Sequence, residues 1–345
     1  MRDPRNAVLI GLGMVADMHA QAIAGSQSGV RLHGVLARRT DQAQRFARAH
    51  DTRAYDTLDD VIADPEVGFA ILATPPDARA AFIGPLAEAG IAILTEKPLE
   101  RDAARARALV TQCEAAGVPL GVVLQHRMRP AARVLLDRVN TGALGPIATV
   151  ELRVPWWRDQ SYYDAPGRGT YARDGGGVLI TQAIHALDLM LQLCGPVAQV
   201  QAMTLSSPLH QLEAEDFAGA ALRFASGAVG TVMASTTHYP GGAEDIVLNG
   251  TLASAHLSAA QLTLSYRDGR VETHEGAAQS GGGADPMAFT SDWHRAVIDD
   301  FSQALAEARP PAIPGRSALS AQVLIDAIAT SSRTGTRVDL GECDD

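Results

Sequence analysis

A continuous apolar run that leads directly into a glycine turn constrains the fold more than any other feature of the chain. The run is Ala7–Ile10, and the turn is Gly11-Leu12-Gly13-Met14-Val15-Ala16. A strand buried on both faces, followed by G-x-G-x-x-G/A at the start of a helix, is typical of dinucleotide-binding folds. Gly11 permits the tight turn, Gly13 lets the backbone approach a pyrophosphate, and Ala16 lets the helix pack closely on the sheet. The turn therefore predicts a dinucleotide site.

The first third of the chain continues this pattern, because short apolar runs alternate with longer amphipathic stretches. Strands are predicted at Val30–Ala37, Phe69–Ala73, Ile91–Thr95 and Leu120–Leu124, and helices at Met14–Ser26, Thr40–His50, Asp77–Ala89 and Arg101–Ala116. Such alternation indicates βαβ units. The predicted fold class is α/β, with an N-terminal Rossmann doubly wound parallel sheet in residues 1–125.

The pattern changes after Gln125. Strands are predicted at Ile147–Val154, Phe217–Phe224, Ala228–Thr237, Asp245–Leu248, His256–Leu257 and Leu262–Tyr266, and helices at Arg129–Val139, Val178–Leu193, Phe289–Ala308 and Arg316–Thr334. Ser226-Gly227 and Asp268-Gly269 mark turns between strands, and Gln279–Pro286 is predicted to be a glycine-rich loop. Residues 126–345 are thus predicted to form an α+β domain with a large, open, mostly antiparallel sheet. Its last helices, about 288–345, could pack back on the Rossmann domain.

Composition narrows the class of protein. A chain of 345 residues that is 46% hydrophobic suggests two globular domains. Its net charge of −10 argues against nucleic-acid and anionic-membrane partners, which are bound through Lys and Arg. No apolar segment approaches a membrane span and no signal peptide precedes the first strand. Cys113, Cys194 and Cys343 are scattered, as in a reduced cytoplasmic protein. No His, Cys and Asp cluster has ligand spacing, so no metal site is predicted.

The end of the second strand bears on the choice of cofactor. An acidic residue there would hold the ribose 2′-OH of NAD, but the strand ends Ala37-Arg38-Arg39-Thr40 and the first carboxylate is Asp41. Two guanidinium groups and a hydroxyl suit a 2′-phosphate, so NADP is predicted in preference to NAD. The alternative is that Arg38 and Arg39 are only solvated residues at the start of a helix.

A second group of reactive residues follows the strand Ile91–Thr95, at the carboxyl end where doubly wound sheets bind ligands. These residues are Glu96-Lys97-Pro98-Leu99. With this motif, the chain resembles the glucose–fructose oxidoreductase / inositol dehydrogenase / rhizopine-catabolism (Gfo/Idh/MocA) family over nearly its whole length. The other matching segments are Gly11-Leu12-Gly13 through His19, Thr74-Pro75-Pro76, Gly175-Gly176-Gly177 through His185 and Asp188, and Trp293–Arg309.

The resemblance implies an NAD(P)-dependent oxidoreductase that transfers hydride between nicotinamide and a hydroxyl or carbonyl carbon of a sugar, cyclitol or sugar nucleotide. It implies that Lys97 and His185 are active-site groups, that the peptide before Pro98 is cis, and that the protein forms homodimers or homotetramers. The residues expected to bind the cofactor are Gly11, Gly13, Met14, Val15, Ala37, Arg38, Arg39, Thr74, Pro75, Glu96 and Lys97.

Thr181 departs from the family pattern, because many members carry Asp four residues before the histidine. In an α-helix, positions 181 and 185 would be neighbours on one face. A hydroxyl cannot share a proton with His185 as a carboxylate would, so Thr181 is expected only to hydrogen-bond within the catalytic set. Either Lys97 or His185 could accept the proton; a cationic nicotinamide would lower the pKa of Lys97 toward roughly 7–8, as a general base requires.

The segment between Pro155 and Gly177 is dense in aromatic and charged side chains, which suit sugar faces and hydroxyls, or an acidic group. The residues predicted to bind substrate are Trp157, Arg158, Tyr163 and Arg168 from this segment, with Gln182 from the following helix. The alternative for each is surface or interface packing.

Two other functions compete with the dehydrogenase. Some relatives hold NAD tightly, oxidise a sugar transiently and eliminate a glycosidic group, which would make the chain a hydrolase. A non-catalytic cofactor sensor is the third possibility, and the presence of both Lys97 and His185 argues against it. Net reduction of added NAD(P) would exclude the hydrolase.

Overall fold

The computed structural model describes residues 2–275 and 290–341, which form two compact units. The first unit comprises the chain up to Gln125 together with Ser291–Leu319, and the second comprises His126–Thr290 and the chain from Ser320 onward. The predicted loop Gln279–Pro286 and Cys343 lie outside the described residues. No helix within the described ranges is long and apolar enough to cross a bilayer.

A six-stranded parallel sheet forms the first unit, in the order β3-β2-β1-β4-β5-β6. Its strands are β1 (Asn6–Ile10), β2 (Arg31–Leu36), β3 (Arg53–Tyr55), β4 (Phe69–Leu72), β5 (Ala92–Glu96) and β6 (Leu120–Val123). The helices are α1 (Ala16–Ala24), α2 (Thr40–Ala49), α3 (Leu58–Ala63), α4 (Ala80–Glu88) and α5 (Ala103–Ala115). All residues of β1, β4, β5 and β6 are buried, as strands covered on both faces require. The predicted doubly wound sheet is confirmed.

The order of strands reverses between β1 and β4, so the loops that follow them open a crevice at the carboxyl edge of the sheet. The sequence prediction missed β3 and α3, because β3 has only three residues and α3 buries only Val61. A signal was nevertheless present. Thr57 and Asp60 form a capping box at the start of α3, with Thr57 Oγ1 accepting from the Asp60 amide at 3.1 Å.

The second unit contains a nine-stranded sheet in the order β14-β13-β12-β11-β7-β10-β9-β8-β15. All neighbours are antiparallel except β7 and β10. The strands are β7 (Ile147–Pro155), β8 (Val197–Leu205), β9 (Phe217–Phe224), β10 (Val229–Ser235), β11 (Asp245–Gly250), β12 (Ala253–Ser258), β13 (Gln261–Tyr266), β14 (Val271–His274) and β15 (Val338–Asp339). The predicted mostly antiparallel sheet is confirmed. Ser226-Gly227 joins two predicted strands, whereas Asp268-Gly269 joins β13 to β14, a strand whose bounds were not predicted.

The remaining helices are α6 (Pro130–Asn140), α7 (Gln160–Tyr163), α8 (Ile184–Cys194), α9 (Asp292–Ala306) and α10 (Gly315–Thr334). Helix α9 lies in the first unit, where it packs against α1 and β6. Its Asp299 carboxylate accepts hydrogen bonds from the hydroxyls of Ser26 and Ser28, at 2.5 and 2.7 Å. Helix α9 thereby fixes the loop that follows α1.

The prediction of one continuous α-helix over Val178–Leu193 is wrong. Leu179–Ala183 is a π-helical segment, and α8 begins only at Ile184. Glu215 caps this start, because its carboxylate accepts from the amides of Gly177 and Leu179, both at 3.1 Å. The α-helical spacing that would align positions 181 and 185 on one face therefore does not hold, and π-turns of this kind are frequent at functional sites.

Candidate active site

The glycine turn after β1 is shaped to admit a phosphate. Gly11 has φ +97°, and a Cβ there would lie 2.9 Å from the backbone of Ala73 and Thr74. Gly13 instead faces open space, with no atom within 4 Å of its would-be Cβ. Helix α1 begins without a side-chain cap at Val15, and Met14 is exposed. The helix N-terminus thus presents its amide groups and positive dipole end to a ligand, which fits a pyrophosphate.

The end of β2 presents two arginines close to this turn. Arg38 is exposed, and Ala37 is half-buried. Arg39 donates to Gln42 Oε1 at 3.1 and 3.3 Å, and Gln42 Nε2 donates to the carbonyl of Leu12 at 2.5 Å. Gln42 therefore links the side chain of Arg39 to the backbone of the glycine turn. This glutamine was not identified from the sequence.

Glu96, at the end of β5, is buried between two histidines. His19 from α1 lies 2.9 Å from Glu96 Oε1 through Nε2, and since a carboxylate only accepts, Nε2 carries the proton. His294 from α9 lies 3.8 Å from the same oxygen, and the two imidazole rings meet edge to face with centroids 5.4 Å apart. All three side chains are less than one-tenth exposed.

The charges in this cluster are set by burial and by the carboxylate. Burial opposes ionisation of Glu96, yet the hydrogen bond from His19 and the neighbouring positive groups outweigh it and lower the pKa of Glu96 to about 2. Burial lowers the pKa of His294 to about 4, and the nearby carboxylate opposes this only in part. At neutral pH the cluster therefore holds an ionised Glu96 and a neutral His294 directly beside Lys97.

Arg79 connects the loops that follow β4 and β5. Its side chain is buried, and it donates to the carbonyl of Thr74 at 3.1 and 3.2 Å and to the carbonyl of Lys97 at 3.3 Å. Burial lowers the pKa of Arg79 to about 10, which leaves it cationic at neutral pH. The Lys97–Pro98 peptide is cis, as expected from the family resemblance. Thr74, exposed Pro75 and half-buried Lys97 therefore belong to one braced edge of the sheet.

His185 lies at the start of α8 in the second unit and is buried. The ring of His126 stacks on it, with centroids 4.7 Å apart and planes inclined by 29°. Arg129 donates to Nε2 of His126 and also to Glu244, and Nδ1 of His126 lies 3.4 Å from Glu244 Oε1. Because a guanidinium group only donates, Nε2 of His126 is the acceptor in its contact with Arg129.

One turn further along α8, Asp188 forms a two-pronged ion pair with Arg127, at 2.7 and 2.5 Å. Asp188 is 1% exposed. Burial raises the pKa of Asp188, and Arg127 opposes that rise. The pair ties the segment after β6 to the helix that carries His185.

Thr181 and Gln182 occupy the π-helical segment. The hydroxyl of Thr181 lies 2.6 Å from the carbonyl of Gly177 and also contacts Gln182 Oε1, and its single proton is shared between these two acceptors. The amide of Gln182 donates in turn to the hydroxyl of Tyr162 at 3.2 Å. The π-helical segment is thus linked to the aromatic segment after β7.

His210 contacts both the backbone and the aromatic side chains of that segment. Its Nε2 donates to the carbonyl of Arg158 at 2.7 Å, and its Nδ1 lies 2.8 Å from Asp216 Oδ2. The rings of Tyr163 and Trp157 pack on His210, with centroids 4.9 and 5.7 Å away. Both members of the His210–Asp216 pair are almost fully buried. The pair therefore sets the path of the backbone that carries the predicted substrate-binding residues.

Each unit brings together its own share of the residues singled out from the sequence. In the first unit these are the glycine turn, the arginines after β2, and the Thr74–Pro75 and Glu96–Lys97 loops. In the second they are Thr181, Gln182, His185 and the residues near Tyr163 and Arg158. The residues that sequence reasoning missed are Arg79, His126, Arg129, Glu244, His210 and Asp216.

Within the described ranges, one group of possible metal ligands converges, formed by His33, Asp64 and Glu66. Asp64 already accepts hydrogen bonds from Tyr55 and Arg53, at 2.7 and 2.8 Å, and lies 3.1 Å from His33 Nε2. A carboxylate engaged by a guanidinium and two other donors is explained by the protein's own contacts.

Comparison with known proteins gives two family matches. Residues 5–124 match the model described as "Oxidoreductase family, NAD-binding Rossmann fold" of the GFO/IDH/MocA proteins, and residues 133–256 match the "GFO/IDH/MocA C-terminal domain". Together the two matches cover most of the chain.

Individual proteins agree with these matches. D-apiose dehydrogenase of Paraburkholderia graminis is 28% identical over 301 residues, which cover 84% of this chain and 77% of that protein. Inositol 2-dehydrogenase of Rhizobium meliloti is 29% identical over 187 residues, or 54% of each chain. Among solved structures, the WlbA dehydrogenase of Bordetella pertussis in complex with NADH and UDP-GlcNAcA is 29% identical, with a TM-score of 0.82 over 97% of this chain and 98% of that one.

Proposed function

The chain belongs to the Gfo/Idh/MocA family of NAD-binding oxidoreductases, and on that premise we propose that it transfers hydride between NADP(H) and a hydroxyl or carbonyl carbon of a sugar, cyclitol or sugar nucleotide. In this proposal Lys97 and His185 are the acid/base and polarising groups. A bound nicotinamide supplies the hydride acceptor or donor.

The observation that carries the proposal concerns Lys97. It is the only lysine among 345 residues, and the other 28 of the 29 basic residues are arginines. Arginine does not lose its proton in proteins, whereas lysine can act as a general base when its surroundings disfavour the ammonium form. The one lysine follows β5 at the carboxyl edge of a doubly wound sheet, where ligands bind. Its position at this edge supports the proposal that Lys97 exchanges the substrate proton.

The buried residues around Lys97 support this role by fixing its backbone. Arg79 holds its carbonyl, and Glu96 Oε2 accepts from its amide at 3.2 Å. In the oxidative direction, Lys97 would take the hydroxyl proton of the substrate. In the reductive direction, its ammonium group would polarise the carbonyl. His185 would orient the substrate hydroxyl or exchange the proton itself, and Thr181 would contribute only a hydrogen bond.

The cofactor preference rests on the arginines after β2. Arg38 is exposed, and Arg39 is tied to the glycine turn through Gln42. Asp41, the nearest carboxylate in sequence, is ion-paired with Arg45 at 2.8 Å. Two guanidinium groups beside the ribose position favour a 2′-phosphate, and we therefore propose NADP over NAD.

The decisive experiment is a panel of sugars, cyclitols and sugar nucleotides, each tested with NAD and with NADP by the absorbance of the reduced nicotinamide. We expect turnover with at least one substrate, loss of at least 1,000-fold in kcat for Lys97→Met (about 4 kcal/mol), and a higher kcat/KM with NADP. Arg38→Ala with Arg39→Ala should reverse the cofactor preference.

Because Lys97 is the sole lysine, its protonation can be followed directly. Reductive methylation with ¹³C-formaldehyde gives one lysine signal besides that of the N-terminus, and titration with the oxidised cofactor present should move its midpoint to a lower pH. Unchanged kcat in Lys97→Met would contradict the proposed acid/base role, and product formation without net reduction of cofactor would favour a hydrolase.

We also propose an oligomeric state and a cellular location for the enzyme. We expect a homodimer or homotetramer acting on a small molecule in the cytoplasm. Light scattering of the purified protein would determine the number of subunits, and a monomer at micromolar concentration would contradict this expectation.

A further inference from the structure

Arg168 differs from the other charged residues of the segment between β7 and the π-helical segment. Its guanidinium carbon lies 4.3 Å from the ring centroid of Tyr162, so the group stacks on the face of the ring. Among residues 2–275 and 290–341, no carboxylate pairs with it, and its Nε is buried without a hydrogen-bond partner. Arg168 as a whole is half-buried, but leaving its buried Nε–H unsatisfied is costly, and an acceptor on a ligand would relieve that cost.

The aspartates of the same segment are engaged elsewhere. Asp159 accepts from Trp157 Nε1 at 3.1 Å, and Asp164 accepts from Gln160 Nε2 at 3.0 Å. Asp174 accepts from the Gly169 amide at 2.9 Å and lies 3.8 Å from Arg173. All three aspartates of this segment therefore contact donors other than Arg168.

A second guanidinium group lies close to the same ring. The guanidinium carbon of Arg158 is 5.7 Å from the centroid of Tyr162, and Arg158 is 2% exposed. An anion bound by Arg168 at this ring would therefore also lie near a second guanidinium group.

The arginine pair is connected to the proposed active site within the same unit. Tyr162 accepts a hydrogen bond from Gln182, which stands three residues before His185. A stacked guanidinium leaves the N–H groups in its plane free for two-pronged recognition of a planar carboxylate or of a phosphate. We infer that the substrate carries an anionic group, a carboxylate or a phosphate, which Arg168 binds. This inference rests on the proposed function, since it specifies the substrate of that same site.

The experiment compares pairs of sugars in which one member carries an additional carboxylate or phosphate. The pairs are D-glucose with D-glucuronate, D-galactose with D-galacturonate, UDP-N-acetylglucosamine with its uronate, and D-glucose with D-glucose 6-phosphate. In the wild type, the anionic member of at least one pair should have a KM at least 10-fold lower. Preference for a uronate identifies the carboxylate as the group bound, and preference for the sugar phosphate identifies the phosphate.

Arg168→Gln should remove this preference, raising KM for the more anionic member about 10- to 100-fold with little change for the other member of the pair. Arg173→Gln is the matched control, because it removes the same charge from the same segment but from a residue bound to Pro166 O at 2.9 Å. Arg168→Lys keeps the charge without the planar fork and should recover only part of the preference. Equal KM values within every pair, or an equal rise for both members in Arg168→Gln, would overturn the inference.

Calorimetry separates this inference from the proposed function. If no pair is turned over, D-glucuronate, D-galacturonate and D-glucose 6-phosphate are titrated into the NADPH-bound protein beside D-glucose. Binding of an anion that disappears in Arg168→Gln and persists in Arg173→Gln supports the anion site even where the redox proposal has failed. Absence of such binding overturns the anion site.

Discussion

The imidazole rings of His126 and His185 stack at a centroid distance of 4.7 Å, although 59 positions separate the two residues in sequence. Behind His126 stand Arg129 and Glu244, which fix its orientation. We expect His126→Phe to retain the stacked ring but to leave a buried arginine donor unsatisfied, at a cost of about 1–3 kcal/mol in the free energy of unfolding. Chemical denaturation measures this cost, and kcat/KM should fall more in His126→Ala, which removes the ring as well. Equal activity of wild type and both variants would contradict a role for His126 in placing His185.

Arg79→Met should loosen the loop that carries Lys97. The substitution keeps the length of the side chain but leaves the carbonyls of Thr74 and Lys97 without their buried donor. We expect a loss of about 2–4 kcal/mol in unfolding free energy, measured in urea, and a lower kcat with a smaller change in KM. Arg45→Met, which removes an exposed arginine, is the control and should leave both quantities near wild type. A stable, fully active Arg79→Met protein would contradict the role of Arg79 in holding the loop of Lys97.

His294 should make the protein less stable in mild acid. Burial lowers its pKa from 6.5 to about 4, so the unfolded chain binds a proton in this window that the folded protein does not. Stability should therefore decline as the pH falls from 6.5 toward 4, by up to about 3 kcal/mol. Denaturation at a series of pH values should show a shallower decline in His294→Phe. His256→Phe, at an exposed position, should retain the wild-type slope, and identical slopes in all three proteins would refute the assignment.

Gly11 and Gly13 should respond differently to alanine. In Gly11→Ala, a Cβ at φ +97° would approach two backbone atoms at 2.9 Å, and we expect a loss of about 2–4 kcal/mol in unfolding free energy. In Gly13→Ala, the Cβ meets open space, so stability should be retained while NADPH affinity falls, because the methyl group occupies the path of the pyrophosphate. Thermal unfolding and fluorescence titration of NADPH measure the two effects. A stable Gly11→Ala protein, or unchanged affinity in Gly13→Ala, would contradict this division.

Asp216→Asn should disturb the segment that contains Trp157 and Tyr163. The substitution removes the charged partner of a buried histidine, which costs about 3–5 kcal/mol where a buried pair is broken. The variant should therefore unfold at a lower urea concentration, and KM for substrate should rise. Asp216→Glu, which keeps the charge, should recover part of both losses. A change in stability with no change in KM would limit the role of Asp216 to folding.

Much of the architecture could be predicted from local patterns. The buried strands of the first unit read as apolar runs, and the hairpin turns of the second read as Ser-Gly and Asp-Gly pairs. The short strand β3 was not predicted, because three residues show too little periodicity to be distinguished from a loop. The π-helical segment Leu179–Ala183 was also not predicted, and the Glu215 carboxylate that binds the amides at its start comes from another part of the chain.

The same distinction between local patterns and long-range contacts applies to the candidate site. The Glu96–Lys97 motif, the glycine turn and His185 were identifiable from sequence, and the solitary status of Lys97 was visible there too. The partners of these residues were not. His294, which lies near Glu96, is on a helix almost 200 positions further along the chain. Glu244, which lies near His126, directly precedes β11.

The sequence by itself determined the parallel sheet, the glycine turn and the family of the protein, because these depend on apolar runs and backbone freedom within a few residues. Only the tertiary structure decided which charges face each other. In the folded protein, Glu96 is buried between His19 and His294, and Arg79 bridges the carbonyls of two loops. Arg168 stacks on Tyr162 and pairs with no carboxylate among the described residues. Such pairings follow from which elements the fold packs together, and Coulomb and desolvation energies take their size from that burial.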